Sequence, residues 1–183
     1  MPTQDADLLA AVQTRCARVA VGPSTARGQR APGLINAARL HLAALDLRQF
    51  GTSRSALFRT RLDRATKRLA RALPPRGRSW GVARKLLNIF LRDALYTSYL
   101  REAFRLDRAE HLLELPLDSI TSRHLQSDLG RNRLPRWRGV KYLSPSASAE
   151  LQAAAAAVAS SRGIARVHLD AFWWGSRPKK GAA

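Results

Sequence analysis

The sequence predicts an all-α protein of two helical lobes. Apolar residues recur at intervals of three and four, and no sustained apolar–polar alternation typical of strands occurs. Of the 183 residues, 45% are apolar, which is enough to build a folded core. Because this length suits one globular unit, residues 1–174 are predicted to form a single domain, followed by a disordered basic tail at 175–183.

Two helices and a loop are predicted at the N-terminal end. Apolar residues at helical spacing from Leu8 to Val19 mark the first helix, whose initial turn carries acids, as the helix dipole prefers. Residues 22–33 contain several glycines and prolines and predict a loop. The second helix starts near Leu34 and ends before Gly51.

The next two helices follow in quick succession. An amphipathic helix with an unusually basic exterior begins near Ser53 and is stopped by Pro74 and Pro75. The turn RGRSWG then opens a fourth helix, with apolar positions from Leu86 to Leu91. This helix is expected to break or bend before the segment HLLELPLDS.

The last third of the chain is predicted to hold two helices and a short final element. Asp118 is well placed to cap a helix that ends at Gly130. Residues 130–146 form a basic connection, and Ser146 is the predicted cap of an alanine-rich helix over 147–160. The segment IARVHLDAFWW is the final element before the tail.

The charge of the chain predicts a polyanionic partner. There are 32 Lys+Arg against 13 Asp+Glu, a net charge of +19, and 27 of the basic residues are arginine, whose planar guanidinium matches phosphate oxygens. Between Arg48 and Arg92, 11 Arg and 2 Lys stand against one acid, Asp63, for a local net charge of +12. Because like charges at helical spacing repel each other, a nucleic acid is the predicted partner that would neutralise them.

Several classes of protein are excluded by composition. Cys16 is the only cysteine, so the chain has no intramolecular disulfide, thiolate zinc site or iron–sulfur cluster, and the histidines lack metal-ligand spacing. The N-terminus carries acids where a signal peptide carries Lys or Arg, and no apolar run approaches the roughly 20 residues that span a bilayer. We therefore expect a cytoplasmic, nucleoid-associated monomer without membrane, cofactor or protein partner.

Residues 81–91, GVARKLLNIFL, contain the most informative motif. A glycine turn that opens a helix presents free backbone N–H groups to one phosphate without sequence preference. The segment resembles the helix-hairpin-helix element of the DNA glycosylases of the endonuclease III superfamily. The matching residues are Gly81, Val82, Arg84, Lys85, Asn88 and Leu91.

In that superfamily an essential aspartate follows a proline-containing approach, and the segment LPLDS at 115–119 matches this context with Asp118. Its spacing of 33 residues from Lys85 is similar to that of the archaeal 8-oxoguanine glycosylase branch. The resemblance implies that the Asp118 carboxylate stabilises the positive charge that develops on the sugar. It also implies that the Lys85 amine attacks C1′, for which its pKa must be lowered.

The resemblance and the charge together imply a helix-hairpin-helix element and a basic cleft between the two lobes, whose surface contacts DNA. Its predicted members are Gly81, Val82, Ala83, Arg84, Arg76, Arg78, Arg136, Arg138 and Lys141. The target base must leave the stack and enter a pocket with aromatic or apolar walls. The candidates for this pocket are Asn88, Trp80, Trp137, Asp170 and Trp173. Three of these candidates also have a structural interpretation. For Asn88, a buried structural position is as well supported as a pocket position. For Trp173 a core position, and for Asp170 structural packing, are favoured over the pocket.

The predicted activity is that of a DNA glycosylase, which flips a damaged or modified base out of duplex DNA, excises it and leaves an abasic site. The substrate is either an oxidised purine, as the most similar branch implies, or a hypermodified base of phage DNA that is removed in defence. The sequence leaves open whether Lys85 also cleaves the strand as a lyase. The alternative is a non-catalytic DNA- or RNA-binding protein, which needs the basic helices but not the pair of Lys85 and Asp118.

Overall fold

The computed structural model describes residues 4–130 and 133–175, and within these ranges it contains helices and loops without a strand. The all-α prediction is confirmed. The α-helices are α1 (Gln4–Ala20), α2 (Leu34–Ala43), α3 (Ser55–Ala72), α4 (Trp80–Tyr96), α5 (Ser98–Ala103), α6 (Ser119–Leu129), α7 (Pro145–Ser161) and α8 (Leu169–Gly175). Short 3-10 turns lie at Leu47–Phe50, Pro75–Gly77, Leu106–Leu112, Val140–Tyr142 and Arg166–His168.

Helix α4 lies at the centre of the first buried apolar cluster, to which α1, α2, α3 and α5 also contribute. Twelve of its 17 residues are buried, so its apolar side chains and two polar ones, Arg84 and Asn88, face other elements. Phe50 and Phe90 are the largest fully buried side chains of this cluster. Because most of α4 is enclosed, its buried polar groups need partners inside the protein, and Asn88 Oδ1 has none among the described residues.

The second buried apolar cluster is built from α6, α7 and α8. Each of these helices contributes a buried side chain to the cluster: Leu125 from α6, Leu151 from α7 and Trp173 from α8. The segment that precedes α6 adds Leu115 and Leu117. That segment therefore connects the two clusters: it leaves the 3-10 turn Leu106–Leu112 beside the first and enters α6 in the second.

Two predicted boundaries are wrong. The second helix ends at Ala43, and Leu47–Phe50 form a separate 3-10 turn. The alanine-rich helix is capped by Ser144, whose Oγ accepts from the Ala147 N–H at 3.1 Å, and not by Ser146. Pro145 explains the second difference, because proline suits the first position of a helix and the residue before it is then the cap.

The fourth predicted helix breaks as expected, between Tyr96 and Ser98, where α4 gives way to α5. No helix in the described part of the chain is long and apolar enough to cross a membrane. The predicted tail at 175–183 lies outside the described residues, apart from Gly175, at which α8 ends.

Candidate active site

Residues 113–118 leave helical geometry, so their backbone polar groups need partners from elsewhere. Arg166 donates its Nε–H to the Leu113 carbonyl oxygen at 3.0 Å. The Gln152 amide pairs with both backbone groups of Leu115, accepting from its N–H at 3.0 Å and donating to its carbonyl oxygen at 2.7 Å. Side chains from the C-terminal elements thus hold this extended segment in a fixed position.

Asp118 caps α6, as the sequence predicted. Its Oδ1 accepts from the N–H groups of Ile120 and Thr121 at 2.8 and 3.0 Å, and the Thr121 hydroxyl accepts from the Asp118 N–H at 2.8 Å. Gly130, with φ of 89°, follows the last residue of α6, so the predicted end of this helix is also confirmed. The reciprocal capping fixes the carboxylate and employs only one of its two oxygens.

The second oxygen of Asp118 faces Lys85. Lys85 Nζ lies 3.7 Å from Asp118 Oδ2 and also donates to the Thr25 carbonyl oxygen at 3.2 Å. The side chains are 12% and 29% exposed, respectively, so the ammonium is largely desolvated while the carboxylate stays accessible. Burial lowers the pKa of Lys85, and it outweighs the Asp118 carboxylate, which raises that pKa. The structure therefore brings the two predicted catalytic residues together.

Arg84 is buried inside the protein, where its guanidinium is surrounded by partners. It pairs with Asp63 at 2.8 Å and with both oxygens of Glu114 at 2.9 and 3.2 Å. It also donates to the Thr66 hydroxyl at 2.8 Å and lies over the Trp80 ring, 5.0 Å from its centroid. The predicted contact of Arg84 with DNA does not fit this placement, because two acids distant in sequence converge on it.

Glu114 is a functional candidate that the sequence analysis missed. Besides Arg84, it accepts from the Asn88 Nδ2–H at 3.0 Å, and Asn88 is buried one helical turn beyond Lys85. The sequence did contain a signal for it: Glu114 is an acid between two leucines, four residues before Asp118, in a chain that has 13 acids among 183 residues. Glu114 thus ties residues 113–118, which end at Asp118, to the helix that carries Lys85. Asn88 belongs to the network and not to an open pocket.

The predicted glycine turn lies within the first turn of α4, and Gly81, Val82 and Ala83 are all buried. The Ser79 hydroxyl already accepts from the Val82 N–H at 3.1 Å. A Cβ added to Gly81 would lie 2.1 Å from the Val140 carbonyl oxygen, so the 3-10 turn Val140–Tyr142 packs directly on this glycine. The predicted phosphate contact at these three residues does not fit, because a cap and a neighbouring turn cover them.

The remaining predicted DNA contacts are exposed side chains: Arg76, Arg78, Arg136, Arg138 and Lys141. Helix α3 adds a second group of exposed cations: Arg59, Arg64, Lys67, Arg68 and Arg71. Part of the positive charge predicted from the sequence is thus on the surface, where it can meet phosphates.

Two predicted pocket residues are occupied by other contacts. Trp173 is buried in the second cluster and stacks on His124, with ring centroids 5.1 Å apart. Asp170 forms an ion pair with Arg92, which also pairs with Asp93 at 2.8 Å. Trp173 is therefore a core residue, as the sequence favoured, and Asp170 anchors α8 to α4.

Trp137 is placed differently, since it is half-buried and lines a cavity of about 540 Å³. The other wall of this cavity is α6, beginning at Ser119, the residue after Asp118. Trp80, packed beneath Arg84, does not line it. Of the five predicted pocket residues, all of which the structure describes, Trp137 is the one that lines this cavity.

The Cys16 thiol and the metal-ligating residue types are further candidates for reactive groups in the described ranges. Burial raises the pKa of the Cys16 thiol to about 12, so it stays protonated at neutral pH. No group of three His, Cys, Asp or Glu side chains in residues 4–130 and 133–175 could hold a metal ion. Comparisons of the chain with models of protein families, with curated proteins and with solved structures find no match. The chemistry of Lys85 and Asp118 therefore has to be inferred from their own geometry.

Proposed function

We propose that this protein is a DNA glycosylase that excises a damaged or modified base from duplex DNA. The observation that carries the proposal is the 3.7 Å approach of Lys85 Nζ to Asp118 Oδ2, together with the lowered pKa of the lysine. A desolvated amine beside an oriented carboxylate is the combination that nucleophilic displacement at a sugar carbon needs.

The two residues have separate roles in the reaction. As the bond between C1′ and the base nitrogen breaks, the base leaves with the electron pair and takes up a proton, and positive charge develops on the sugar. Asp118, whose Oδ1 is held by the cap of α6, stabilises that charge. In its deprotonated form, the Lys85 amine forms the new bond to C1′ and loses a proton. The bond from C1′ to the ring oxygen then breaks, the oxygen takes up a proton, and the product is an imine. With water in place of the amine, the product is a plain abasic site.

The exposed cations of α3 and of residues 136–141 supply contacts to the phosphates of the duplex. These contacts carry no base preference, so the choice of substrate depends on the pocket that receives the flipped base. An oxidised purine and a bulky modified base are the two substrate classes of the proposal.

The test is mass spectrometry of bases released from a panel of duplexes with oxidised, alkylated, deaminated and hypermodified bases. Borohydride should trap a covalent complex with a released substrate if Lys85 attacks C1′. Lys85→Ala and Lys85→Arg should both abolish trapping while the affinity for DNA persists, because arginine keeps the charge but lacks the nucleophile. Lys67→Ala, which removes an exposed cation of α3, should still trap at saturating DNA.

If the protein releases no base from any duplex of the panel, the proposal that it is a glycosylase is refuted. Failure to trap, with bases still released, would assign the attack to water and leave Asp118 as the essential group; Asp118→Asn should then abolish release.

A second candidate function is non-catalytic nucleic-acid binding, which the exposed cations of α3 favour. It predicts an affinity that falls steeply with salt concentration, with no base release from any duplex. Lys85→Ala would then leave the affinity for DNA and its salt dependence unchanged, because the buried amine contributes little to the surface charge.

A further inference from the structure

The loop between α1 and α2 contacts Lys85 through a backbone group. The Thr25 carbonyl oxygen accepts a hydrogen bond from Lys85 Nζ at 3.2 Å, across 60 positions of the chain. In residues 4–130 and 133–175, no backbone N–H donates to this carbonyl oxygen, so its acceptor capacity is available to the amine. Thr25 and Asp118 therefore hold the same nitrogen atom from two different parts of the chain.

The Thr25 carbonyl is kept in place by a closed turn. The Thr25 hydroxyl accepts from the Gly22 N–H at 2.8 Å and donates to the Gly22 carbonyl oxygen at 3.0 Å. Arg39 donates its Nε–H to the Val21 carbonyl oxygen at 2.7 Å, which ties the start of the loop to α2. Ala26, the residue after Thr25, packs against the first buried apolar cluster. The side chain of Thr25 thus helps to fix the position of its own carbonyl.

The two acceptors beside Lys85 bear on the orientation of a neutral amine. A neutral amine has two N–H groups and one lone pair, whereas the ammonium has three N–H groups and no lone pair. The Thr25 carbonyl oxygen and Asp118 Oδ2, at 3.2 and 3.7 Å, provide one acceptor for each N–H group of the neutral form. The lone pair then points away from both oxygens and is available to form a bond with carbon. Without the Thr25 acceptor, the amine is free to rotate about its C–N bond.

We infer that Thr25 is a positioning residue, whose carbonyl oxygen orients the Lys85 amine for attack on C1′. This inference rests on the proposed glycosylase function and adds a residue to its reaction. The Thr25 hydroxyl acts one step further away, because it closes the turn that carries the carbonyl.

The test uses a duplex with one abasic site, so it does not depend on which base the protein excises. The open form of this sugar has an aldehyde at C1′, with which the Lys85 amine forms an imine and releases water. Borohydride then adds hydride to the imine carbon, the nitrogen takes up a proton, and the complex is trapped. The rate of imine formation is measured by timed trapping over a range of pH, with enough protein to bind all the duplex. Lys85→Ala gives the background from other amines.

Thr25→Ala should lower the maximum of this pH–rate profile by about tenfold or more, because a small misplacement of a reacting group costs up to about 10²-fold in rate. A change in the pKa of Lys85 alone would instead displace the profile along the pH axis. Thr25→Ser keeps the hydroxyl that closes the turn and should react at the wild-type rate. Circular dichroism verifies that each variant is folded.

Thr14→Ala is the matched control, because the Thr14 hydroxyl also donates to a carbonyl oxygen, that of Ala10 at 2.8 Å, but does so within α1. Its profile should match that of the wild type. An unchanged maximum for Thr25→Ala would overturn the inference, and so would a Thr25→Ser protein as slow as Thr25→Ala.

The outcomes for the wild-type protein separate this inference from the proposed function. If bases are released from the panel but no trapping depends on Lys85, the inference is overturned and the glycosylase stays in place. If no base is released from any duplex of the panel, the proposed function fails. Trapping at the abasic site that depends on both Lys85 and Thr25 would then still support the orientation of the amine.

Discussion

Replacing Glu114 with glutamine tests the network that holds residues 113–118 to α4. Glu114 accepts two hydrogen bonds from Arg84 and one from Asn88, and its side chain is 13% exposed. Removal of one partner from a buried ion pair costs about 3–5 kcal/mol. Asp63 would still pair with Arg84, but it is 46% exposed, so solvent screens it. We therefore expect Glu114→Gln to lower the free energy of unfolding by about 2–4 kcal/mol.

Urea unfolding followed by circular dichroism measures this loss as a change in midpoint at constant slope. Glu150→Gln is the matched control, since it makes the same substitution at an exposed position of α7 and should change stability by less than about 0.5 kcal/mol. The double variant with Arg84→Met should lose less than the sum of the single losses, because the buried charge is then gone. A Glu114→Gln protein as stable as the control would refute the role given to the network.

Three further changes have defined outcomes. Gly81→Ala should destabilise the protein by about 1–3 kcal/mol in urea unfolding, because its Cβ would meet a carbonyl oxygen at 2.1 Å. Gly22→Ala is the control and should leave the stability unchanged, because no atom lies within 4 Å of its added Cβ. Ser144→Ala should cost about 1 kcal/mol in thermal unfolding through loss of the helix cap; an unchanged midpoint would contradict that cap. Asp118→Asn removes the charge that raises the pKa of Lys85, so that pKa falls further and reductive methylation of Lys85, followed by mass spectrometry, should begin at lower pH. If methylation of Lys85 instead begins at higher pH, the conclusion that Asp118 raises the pKa of Lys85 is contradicted.

Local features of the fold were predictable because they depend on neighbours in the chain. The cap at Asp118 and the helix end at Gly130 follow from residues within a few positions, and both predictions are confirmed. The choice between Ser144 and Ser146 was predictable as well, since the intervening Pro145 favours the first of them.

The roles of Arg84 and Gly81 could not be predicted in this way. Whether an arginine in a basic segment meets solvent or a buried acid depends on residues 21 and 30 positions away, here Asp63 and Glu114. Gly81 opens a helix as the motif suggests, yet its small size serves a close approach of the backbone near Val140, 59 positions later. For Arg84 and for Gly81, the residue type and its spacing in the sequence were compatible both with the predicted DNA contact and with the observed packing role.

By itself, the sequence determined the helical class, the excess of positive charge, the single cysteine and the capping of α6, because these follow from composition or from contacts between near neighbours. Only the tertiary structure decided which cations are exposed, which polar residues of α4 are buried, and that Lys85 lies 3.7 Å from Asp118. The physical reason is that ion pairing and desolvation depend on distance and burial, which arise when distant segments pack together. The lowered pKa of Lys85 is a consequence of that packing and not of its neighbours in the chain.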